Sequence, residues 1–297
     1  MKPAMLGLGL AAGAGAALAL RARKASTPGW SAGNFPAGMG YVKFGTGVRS
    51  VLWIPDPSHA EPTTVYLRFM AKAIAPFVHA GYTVHLVGLR PHLPAAATVS
   101  DFADDYAKLI MDDFHGRVDL LVADSQGGVI GFALAARHPH LFGSFAAVAA
   151  SHTLEPTARE ATLESARLLS EGRRAEAADV MVQLQNPWLR TPWLRSLMAS
   201  VMARVIIPAE YDRRDVLLAA QAVNDPEVAD ILPTIAVPVL LVCGDADHFV
   251  SAALYERTAR LIPDSTLTVY SGKGHLGVLS DPRLAPDILS FAARPIA

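Results

Sequence analysis

The stretch that decides the fold of this chain is Leu120-Leu121-Val122-Ala123-Asp124-Ser125-Gln126-Gly127-Gly128-Val129-Ile130. Its first half is a short apolar run typical of a buried strand, and its second half restarts as a helix. Ser125 lies at the junction, where a tight turn holds a serine hydroxyl exposed above the sheet. Glycines at positions 127 and 128 let the turn close and the helix pack against the strand, because a Cβ there would collide. The pattern predicts a nucleophilic serine; the alternative is a serine that only caps the helix.

Two further residues follow predicted strands in the C-terminal part of the chain. Asp247 comes after the run Val239-Leu240-Leu241-Val242-Cys243-Gly244, and His275 lies in a glycine-rich loop sequence. A carboxylate and an imidazole in these places are the acid and the base that a serine nucleophile requires. Asp245 competes with Asp247 as the acid, although the Gly-x-x-Asp spacing favours Asp247. Glu155 is a more remote substitute.

Length and composition indicate a globular protein with a sizeable core. The 297 residues are enough for one large domain or a domain with an insertion, and the chain is 52% hydrophobic and 18% charged. Its formal net charge is −1 and its pI about 6.8, which gives no general attraction to nucleic acid or to acidic substrates. The single cysteine, Cys243, falls inside a predicted strand. No metal-ligand spacing such as CxxC or HExxH appears, so we predict neither a metal nor another cofactor.

Residues 1–30 differ in kind from the rest of the chain. An apolar stretch of alanine, glycine and leucine spans residues 4–20, with basic residues on both sides. It predicts either a signal peptide or a short membrane anchor, at the lower limit of length for spanning a bilayer. We therefore expect a membrane-associated or exported protein, and the flanking charges do not decide on which side of the membrane it lies. A cytoplasmic protein with a weakly structured N-terminal helix is the alternative.

From Gly40 onward, short apolar runs alternate with helical segments. This alternation predicts a mostly parallel sheet covered by helices on both faces. Runs rich in valine and leucine suit strands that are buried on both faces. The predicted strands are 41–44, 50–54, 83–87, 118–123, 145–149, 239–243 and 266–270. The predicted helices between and after them are 63–80, 100–114, 126–137, 251–262 and 283–292.

The alternation stops between residues 152 and 232, where the sequence is typical of helices only and too long for a plain connection. Thr191 and Pro192 mark a helix start, and apolar residues then recur as adjacent pairs every four positions up to Ile206. This apolar stripe is expected to pack on the main domain. A helical insertion here would also cover the site above the sheet and contribute a pocket for an apolar substrate group. The predicted pocket residues are Trp188, Trp193, Met198 and Met202. We divide the chain into a core domain, 31–151 with 233–297, and a helical cap, 152–232.

At these residues the chain resembles the α/β-hydrolase superfamily, over about residues 41–292. Ser125-Gln126-Gly127-Gly128 is similar to the nucleophile turn of many of its esterases, and the order Ser, Asp, His differs from the chymotrypsin and subtilisin orders. Gly81-Tyr82, Gly244-Asp245-Ala246-Asp247 and Gly274-His275 match in kind and order. The resemblance implies eight strands, a catalytic triad at their C-terminal edge and a helical cap inserted after the sixth strand.

Two places depart from the pattern of that family. The first glycine of G-x-S-x-G is Ala123, and the residue before the serine is Asp124. The loop after the 50–54 strand, which in the family donates a backbone N–H to the oxyanion, reads Pro55-Asp56-Pro57-Ser58. Proline has no N–H to donate, and an inward-pointing Asp56 carboxylate would oppose the developing negative charge. The predicted oxyanion donors are the N–H groups of Gln126, Asp56 and Ser58.

The resulting prediction is a serine hydrolase that cleaves carboxylic esters with an apolar part, using Ser125, His275 and Asp247. Its partner is a small-molecule ester, no nucleic acid is expected, and the oligomeric state is left open. Acyl transfer, or lactone or carbon–carbon bond hydrolysis, on the same residues stays an alternative. A non-catalytic protein of this fold that binds a small apolar ligand is another. Asp124 as the nucleophile would suggest a dehalogenase, but Gln126 two positions later does not suit the turn.

Overall fold

The structure is a computed structural model that describes residues 28–57, 62–208, 211–224 and 228–294. The apolar stretch 4–20 and Ser58, one of the predicted oxyanion donors, lie outside the described residues. Across those four ranges, no helix combines the length and the apolar character that crossing a bilayer requires.

Eight strands form a single sheet. They are β1 (Trp30–Asn34), β2 (Gly40–Phe44), β3 (Arg49–Ile54), β4 (Tyr82–Val87), β5 (Leu120–Asp124), β6 (Phe145–Val148), β7 (Val239–Gly244) and β8 (Ser265–Tyr270). Their order in the sheet is β1-β2-β4-β3-β5-β6-β7-β8. From β4 across to β8 all neighbours pair in parallel, whereas β2 pairs antiparallel with β1 and with β4. The prediction of a mostly parallel eight-stranded sheet is confirmed.

One strand, β1, has no counterpart among the runs predicted from the sequence. It lies at the edge of the sheet, pairs with β2 alone and is partly exposed along its length. Such an edge strand buries little side-chain surface, so its sequence carries no apolar alternation. Trp30 is its one large apolar side chain, and the indole packs on the ring of Phe44 with 6.1 Å between ring centroids.

Helices cover both faces of the sheet. They are α1 (Thr64–His79), α2 (Val99–Asp113), α3 (Gln126–Arg137), α4 (Pro156–Ser170), α5 (Arg174–Gln185), α6 (Pro192–Val205), α7 (Arg213–Val223), α8 (Val228–Ile231), α9 (Ala252–Leu261), α10 (His275–Leu279) and α11 (Leu284–Ala292). Successive side chains of a strand point to opposite faces. Leu52 and Ile54 of β3 therefore pack with α2 and α3, while Val51 and Trp53 pack with α1 and α11. Burial of each large apolar side chain contributes about 1.5–3 kcal/mol, which fixes the strand ends that carry the site.

Between β6 and β7, the described residues contain α4 to α8 and a short 3-10 turn, Leu232–Thr234, and no strand. Helix α5 packs against α4 on one side and α6 on the other. The contact of α6 is made by Ala199 and Ala203, whose small side chains allow a close approach to α5. The expected burial of the apolar stripe of α6 is therefore wrong for Trp193, Leu197 and Val201. These three side chains are exposed, because the alanine contact turns them outward.

Candidate active site

Three side chains named from the sequence meet at the C-terminal ends of neighbouring strands. Ser125 follows β5, Asp247 lies in the loop after β7, and His275 is the first residue of α10 after β8. Nε2 of His275 lies 2.9 Å from Oγ of Ser125, and Nδ1 lies 2.8 Å from Oδ2 of Asp247. The carboxyl ends of parallel strands share one edge of a sheet, which is why residues up to 150 positions apart come together here. The three side chains form one continuous line of hydrogen bonds.

The turn that carries Ser125 is strained and closely packed. Its φ of 53° and ψ of −130° lie in a region that side chains with a Cβ rarely adopt. A Cβ at Gly127 would lie 2.4 Å from the carbonyl oxygen of Pro55, and one at Gly128 would lie 2.2 Å from Cβ of Ala150. The predicted collision at both positions is confirmed. The two glycines let α3 start directly against the ends of the strands on either side of β5.

The carboxylate of Asp247 is buried and accepts three hydrogen bonds of 2.8 Å. The donors are Nδ1 of His275, the hydroxyl of Tyr255 and the backbone N–H of Phe249. Burial opposes the charged form, but the charge of His275 and these hydrogen bonds outweigh it, so the pKa of Asp247 lies below its usual value. An ionised Asp247 holds the imidazole with its proton on Nδ1 and leaves Nε2 to accept the proton of the serine.

The two competing acids make other contacts. Asp245 accepts the backbone N–H of Gly272 at 2.6 Å and so closes the turn after β8. The carboxylate of Glu155 accepts the N–H of Ser251 at 3.4 Å, and the backbone N–H of Glu155 donates to the carbonyl of Phe249 at 2.9 Å. Glu155 thereby ties the start of the cap to the loop that carries the acid. Neither of these carboxylates is hydrogen-bonded to the imidazole.

The imidazole of His275 is enclosed. The ring of Phe249 lies against it, with 4.3 Å between centroids. Burial disfavours the imidazolium, but the carboxylate of Asp247 and the more distant charges of Asp56 and Asp124 overcome this, so the pKa of His275 lies above its usual value. Three acidic side chains therefore favour the imidazolium form of His275.

Asp124, directly before Ser125, is the functional residue that sequence reasoning missed. Nε1 of Trp53 donates to its Oδ1 at 2.5 Å, and the backbone N–H of Asp56 donates to the same carboxyl group. Burial raises the pKa of Asp124 to about 7, even though both hydrogen bonds favour the charged form. The sequence does hold a signal, since an acidic residue that ends an apolar buried strand requires buried donors.

Two of the three predicted oxyanion donors, Gln126 and Asp56, lie within the described residues. Gln126 is the first residue of α3, where the free N–H groups and the helix dipole favour a negative charge. The N–H of Asp56 donates to the buried Asp124 carboxyl, and its assignment as an oxyanion donor stays a prediction. Nε2 of the Gln126 side chain is buried and has no hydrogen-bond partner among the described residues, so the residue after Ser125 carries a second unpaired donor.

The four predicted pocket residues do not form one lining. Met198 and Met202 are half-buried in the contact between α5 and α6. Trp193 lies on the outer face of α6 and is exposed. Trp188 is also exposed, but its ring centroid lies 6.0 Å from that of His248, the neighbour of Asp247 in the chain. Trp188 alone of the four thus reaches the loop that carries the acid.

An open cavity of about 510 Å³ lies between the end of β6 and the first turns of α4. Leu154, one of its lining residues, packs in the same buried cluster as Phe249, whose ring contacts His275. The pocket lining and the imidazole are thus linked through one buried cluster. It is lined by Thr153, Leu154, Pro156, Arg159, Glu160 and Leu163.

One group of described side chains has the spacing of a metal site and shares no residue with the proposed triad. It consists of His92, Asp212 and Asp215. Asp215 accepts the backbone N–H groups of His92 and Leu93 at 2.6 and 2.9 Å, and Asp212 caps α7 by accepting two backbone N–H groups of that helix. These bonds account for both carboxylates as links between a loop and the start of α7.

Comparison with known proteins agrees with this architecture. The sequence matches the family described as alpha/beta hydrolase fold over residues 59–282. The chain belongs to this family. A curated relative from Yersinia enterocolitica, described as putative carbamate hydrolase RutD, is 26% identical over 203 residues, which cover 67% of this chain and 71% of the relative. The protein is thus a hydrolase of the α/β hydrolase fold.

Solved structures of other α/β hydrolases share the fold at low sequence identity. The enol-lactonase from Burkholderia xenovorans superposes with a TM-score of 0.67 at 16% identity, covering 86% of this chain and 96% of that one. A thermophilic esterase from Thermogutta terrifontis superposes with a TM-score of 0.65 at 21% identity, covering 89% of this chain and 97% of that one. At these identities the similarity concerns the fold alone.

Proposed function

We propose that this α/β hydrolase is a serine carboxylesterase with Ser125 as nucleophile, His275 as general base and Asp247 as the orienting acid. The observation that carries the proposal is the continuous hydrogen-bonded line from Asp247 through His275 to Ser125, at 2.8 and 2.9 Å. A serine reaches such a strained position only where the surrounding packing enforces it, and strain of this kind is concentrated at functional sites.

In the proposed reaction, Nε2 of His275 takes the proton of Ser125 while Oγ bonds to the carbonyl carbon of the ester. The negative charge on the carbonyl oxygen is held by the N–H of Gln126 at the start of α3. When the tetrahedral intermediate collapses, the bond to the alcohol oxygen breaks, and the imidazolium returns its proton to that oxygen. A water molecule then gives a proton to His275 and attacks the acyl group. Collapse of this second intermediate releases the acid and restores the serine.

The apolar part of the substrate is proposed to occupy the cavity at the entrance to the cap. Leu154 and Leu163 supply apolar surface there, and Leu154 shares a cluster with the ring that contacts His275. Hydrophobic walls with few polar groups are typical of pockets for small apolar ligands. Arg159 and Glu160 lie on the same lining and give it a polar side.

A carbamate is the second candidate substrate, and the relative described as a putative carbamate hydrolase favours it. A carbamate presents the same carbonyl to the serine and adds a nitrogen next to it. The unpartnered Nε2 of Gln126 is a donor, so it suits the carbonyl oxygen of either substrate rather than a donating N–H group. The two candidates therefore differ in what the cavity accepts and not in the proposed chemistry.

The experiment is active-site labelling with a fluorophosphonate, followed by hydrolysis assays. Wild-type protein is expected to be labelled and Ser125→Ala to remain unlabelled, with exposed Ser196→Ala as the matched control that keeps labelling. Esters, carbamates and lactones with the same leaving-group acidity then rank the substrate classes by kcat/KM. Labelling of Ser125→Ala, or none of the wild type, would remove the basis of the proposal.

A further inference from the structure

The outer side of α6 carries an exposed apolar strip. Trp193, Leu197 and Val201 follow one another at four-residue intervals, so they lie on one side of the helix. Their exposed fractions are 70%, 54% and 52%, and Trp188, just before the helix, is 68% exposed. Single exposed apolar residues are ordinary, but two tryptophans and two aliphatic residues on one short segment are an unusual concentration of exposed apolar surface.

Basic side chains accompany this strip. Arg190 and Arg204 are exposed at its two ends. Between Asp179 and Glu210 the sequence contains no acidic residue. A third arginine, Arg195, lies on the inner side of α6 and is paired with Asp179 at 2.9 Å.

The same charge pattern continues on α1. The hydroxyl of Thr63, which caps α1, donates to the carbonyl of Val205 at the end of α6, so the two helices meet there. Helix α1 has no acidic residue, and its exposed side chains include Val65, Arg68 and Lys72. Arg68 and Lys72 thus add positive charge on a helix that meets the end of α6, in a chain whose net charge is −1.

We propose that this docking face, formed by Trp188, Arg190, Trp193, Leu197, Val201 and Arg204, lies on the surface of an anionic lipid bilayer. Tryptophan is enriched at the membrane–water interface, and arginine is attracted to acidic headgroups. A helix that carries aliphatic residues and tryptophan with arginine on one side lies in the plane of the interface. At about 1.5 Å per residue, α6 is far too short to span a bilayer, so it lies along the membrane.

The docking face borders the active site. The ring of Trp188 lies 6.0 Å from that of His248, which directly follows the acid Asp247 in the chain. Contact with the bilayer at Trp188 therefore brings the lipid phase to the rim of the site, where an apolar ester concentrates. This last step rests on the proposed function, whereas docking itself does not.

The test measures where the exposed tryptophans lie in the full-length protein. The probe is vesicles of phosphatidylglycerol with brominated acyl chains, and vesicles of brominated phosphatidylcholine are the neutral comparison. Bromine quenches only indoles that enter the interface, and the buried Trp53 is out of its reach. We expect strong quenching by the anionic vesicles, weaker quenching by the neutral ones, and a reduced quenching in Trp193→Phe, in which Trp188 is the indole that remains on the docking face.

Two variants probe the charge. In Arg190→Gln with Arg204→Gln, affinity for the anionic vesicles is expected to fall roughly fivefold for each arginine removed, with a weaker salt dependence. The matched control replaces Arg117 and Arg260, exposed in other parts of the fold, and should bind as the wild type does. Hydrolysis of a water-soluble ester should be equal in both variants, which separates a failure of docking from a failure of the proposed chemistry.

Two outcomes would overturn the proposal. The first is binding to vesicles, through residues 4–20 or otherwise, without quenching by brominated lipid. The second is protection of the tryptophans from acrylamide before lipid is added, which would mean that the face is already covered. Protection that depends on protein concentration would identify a second copy of the chain as the cover, and protection that does not would identify residues 4–20.

Discussion

Nε1 of Trp53, at the end of β3, donates a hydrogen bond of 2.5 Å to the carboxyl group of Asp124, at the end of β5. The backbone N–H of Asp56 donates to the same group, so one buried carboxyl ties the nucleophile turn to the loop after β3. We therefore expect Asp124 to act as a positioning residue for Ser125. Because burial raises its pKa to about 7, Asp124 is also a group beside the proposed triad that changes its charge near neutral pH.

The first prediction concerns Asp124→Asn and stability against pH. Because burial raises the pKa of Asp124 to about 7, well above its value in an unfolded chain of about 3.9, ionisation favours the unfolded state as pH rises between those two values. Asp124→Asn removes this loss, so the stability of the variant relative to wild type should increase from pH 4 to pH 7 and level off above. Urea unfolding at several pH values measures it. A constant difference across this range would contradict the raised pKa.

The same variant tests the positioning role. An asparagine can accept from Trp53, but its amide hydrogens then face the N–H of Asp56, so that link is lost. We expect kcat to fall about tenfold with little change in KM, and the acidic limb of the pH–rate profile to move to lower pH because a charge that raises the pKa of His275 is gone. The comparison variant Trp53→Phe keeps the charge, and its limb should not move in that direction.

The triad itself predicts strongly coupled losses. Ser125→Ala and His275→Ala should each lower kcat by a factor on the order of 10⁶, and the double variant should lose little more, because neither group acts alone. Asp247→Asn should lower kcat by a factor on the order of 10⁴ with the fold intact, since an amide favours the wrong imidazole tautomer. Asp245→Asn is the control. If it inactivates the protein while Asp247→Asn does not, the acid has been misassigned.

The pH dependence of kcat/KM follows from His275. The general base works only when neutral, and the carboxylate of Asp247 together with Asp56 and Asp124 raises its pKa above the ordinary 6.5 despite burial. Activity should therefore be low in acid and rise with pH, with a midpoint above 6.5. A rate profile in the free-enzyme regime measures the midpoint. A midpoint well below 6.5 would mean that burial outweighs the three carboxyls.

The proposed substrate cavity predicts a change of selectivity. Leu163→Trp adds bulk to the lining, so kcat/KM for long-chain esters should fall by about 10- to 200-fold while acetate esters are hardly affected. Val48→Trp, at a fully exposed loop position, is the matched control. An equal loss for every chain length would indicate damage to the fold, and no loss for any would place the acyl group elsewhere.

The packing of the turn predicts a clear effect of Gly127→Ala. The added Cβ would lie 2.4 Å from the carbonyl oxygen of Pro55, so the loop after β3 must move. Overpacking of this kind costs about 1–3 kcal/mol of unfolding free energy, and activity should fall further because the oxyanion region shifts. Gly29→Ala has open space around it and should change neither quantity. Full activity in Gly127→Ala would show that the turn adapts without loss.

Sequence reasoning reached the sheet and the proposed triad because both depend on local patterns. Buried parallel strands are short apolar runs, and Ser125, Asp247 and His275 each follow such a run at the edge where strand ends meet. The outward side of α6 could not be read in this way. Periodicity locates an apolar stripe but does not say which side meets a neighbour, and here two alanines make the contact.

The hydrogen bond between Trp53 and Asp124 could not be predicted from the sequence for a different reason. Their hydrogen bond joins residues 71 positions apart on two strands that the sequence does not show to be adjacent. Only the strand order, with β3 beside β5, brings the two side chains together. The same non-local pairing brings the N–H of Asp56 to the Asp124 carboxyl, a contact that the sequence of the loop does not predict.

The two hydrogen bonds of Glu155 connect the start of α4 with the loop that contains Asp247. The backbone of Glu155 holds the carbonyl of Phe249, and the N–H of Phe249 holds the carboxylate of Asp247. Helix α4 begins at the next residue, so a displacement of the cap would pull on the acid through a single intervening residue. We therefore expect admission of a substrate and reactivity of Ser125 to be coupled, because a movement of α4 away from the site should displace Asp247 and its return should restore the alignment. A nucleophile controlled in this way would be shielded from molecules that are too large to be enclosed.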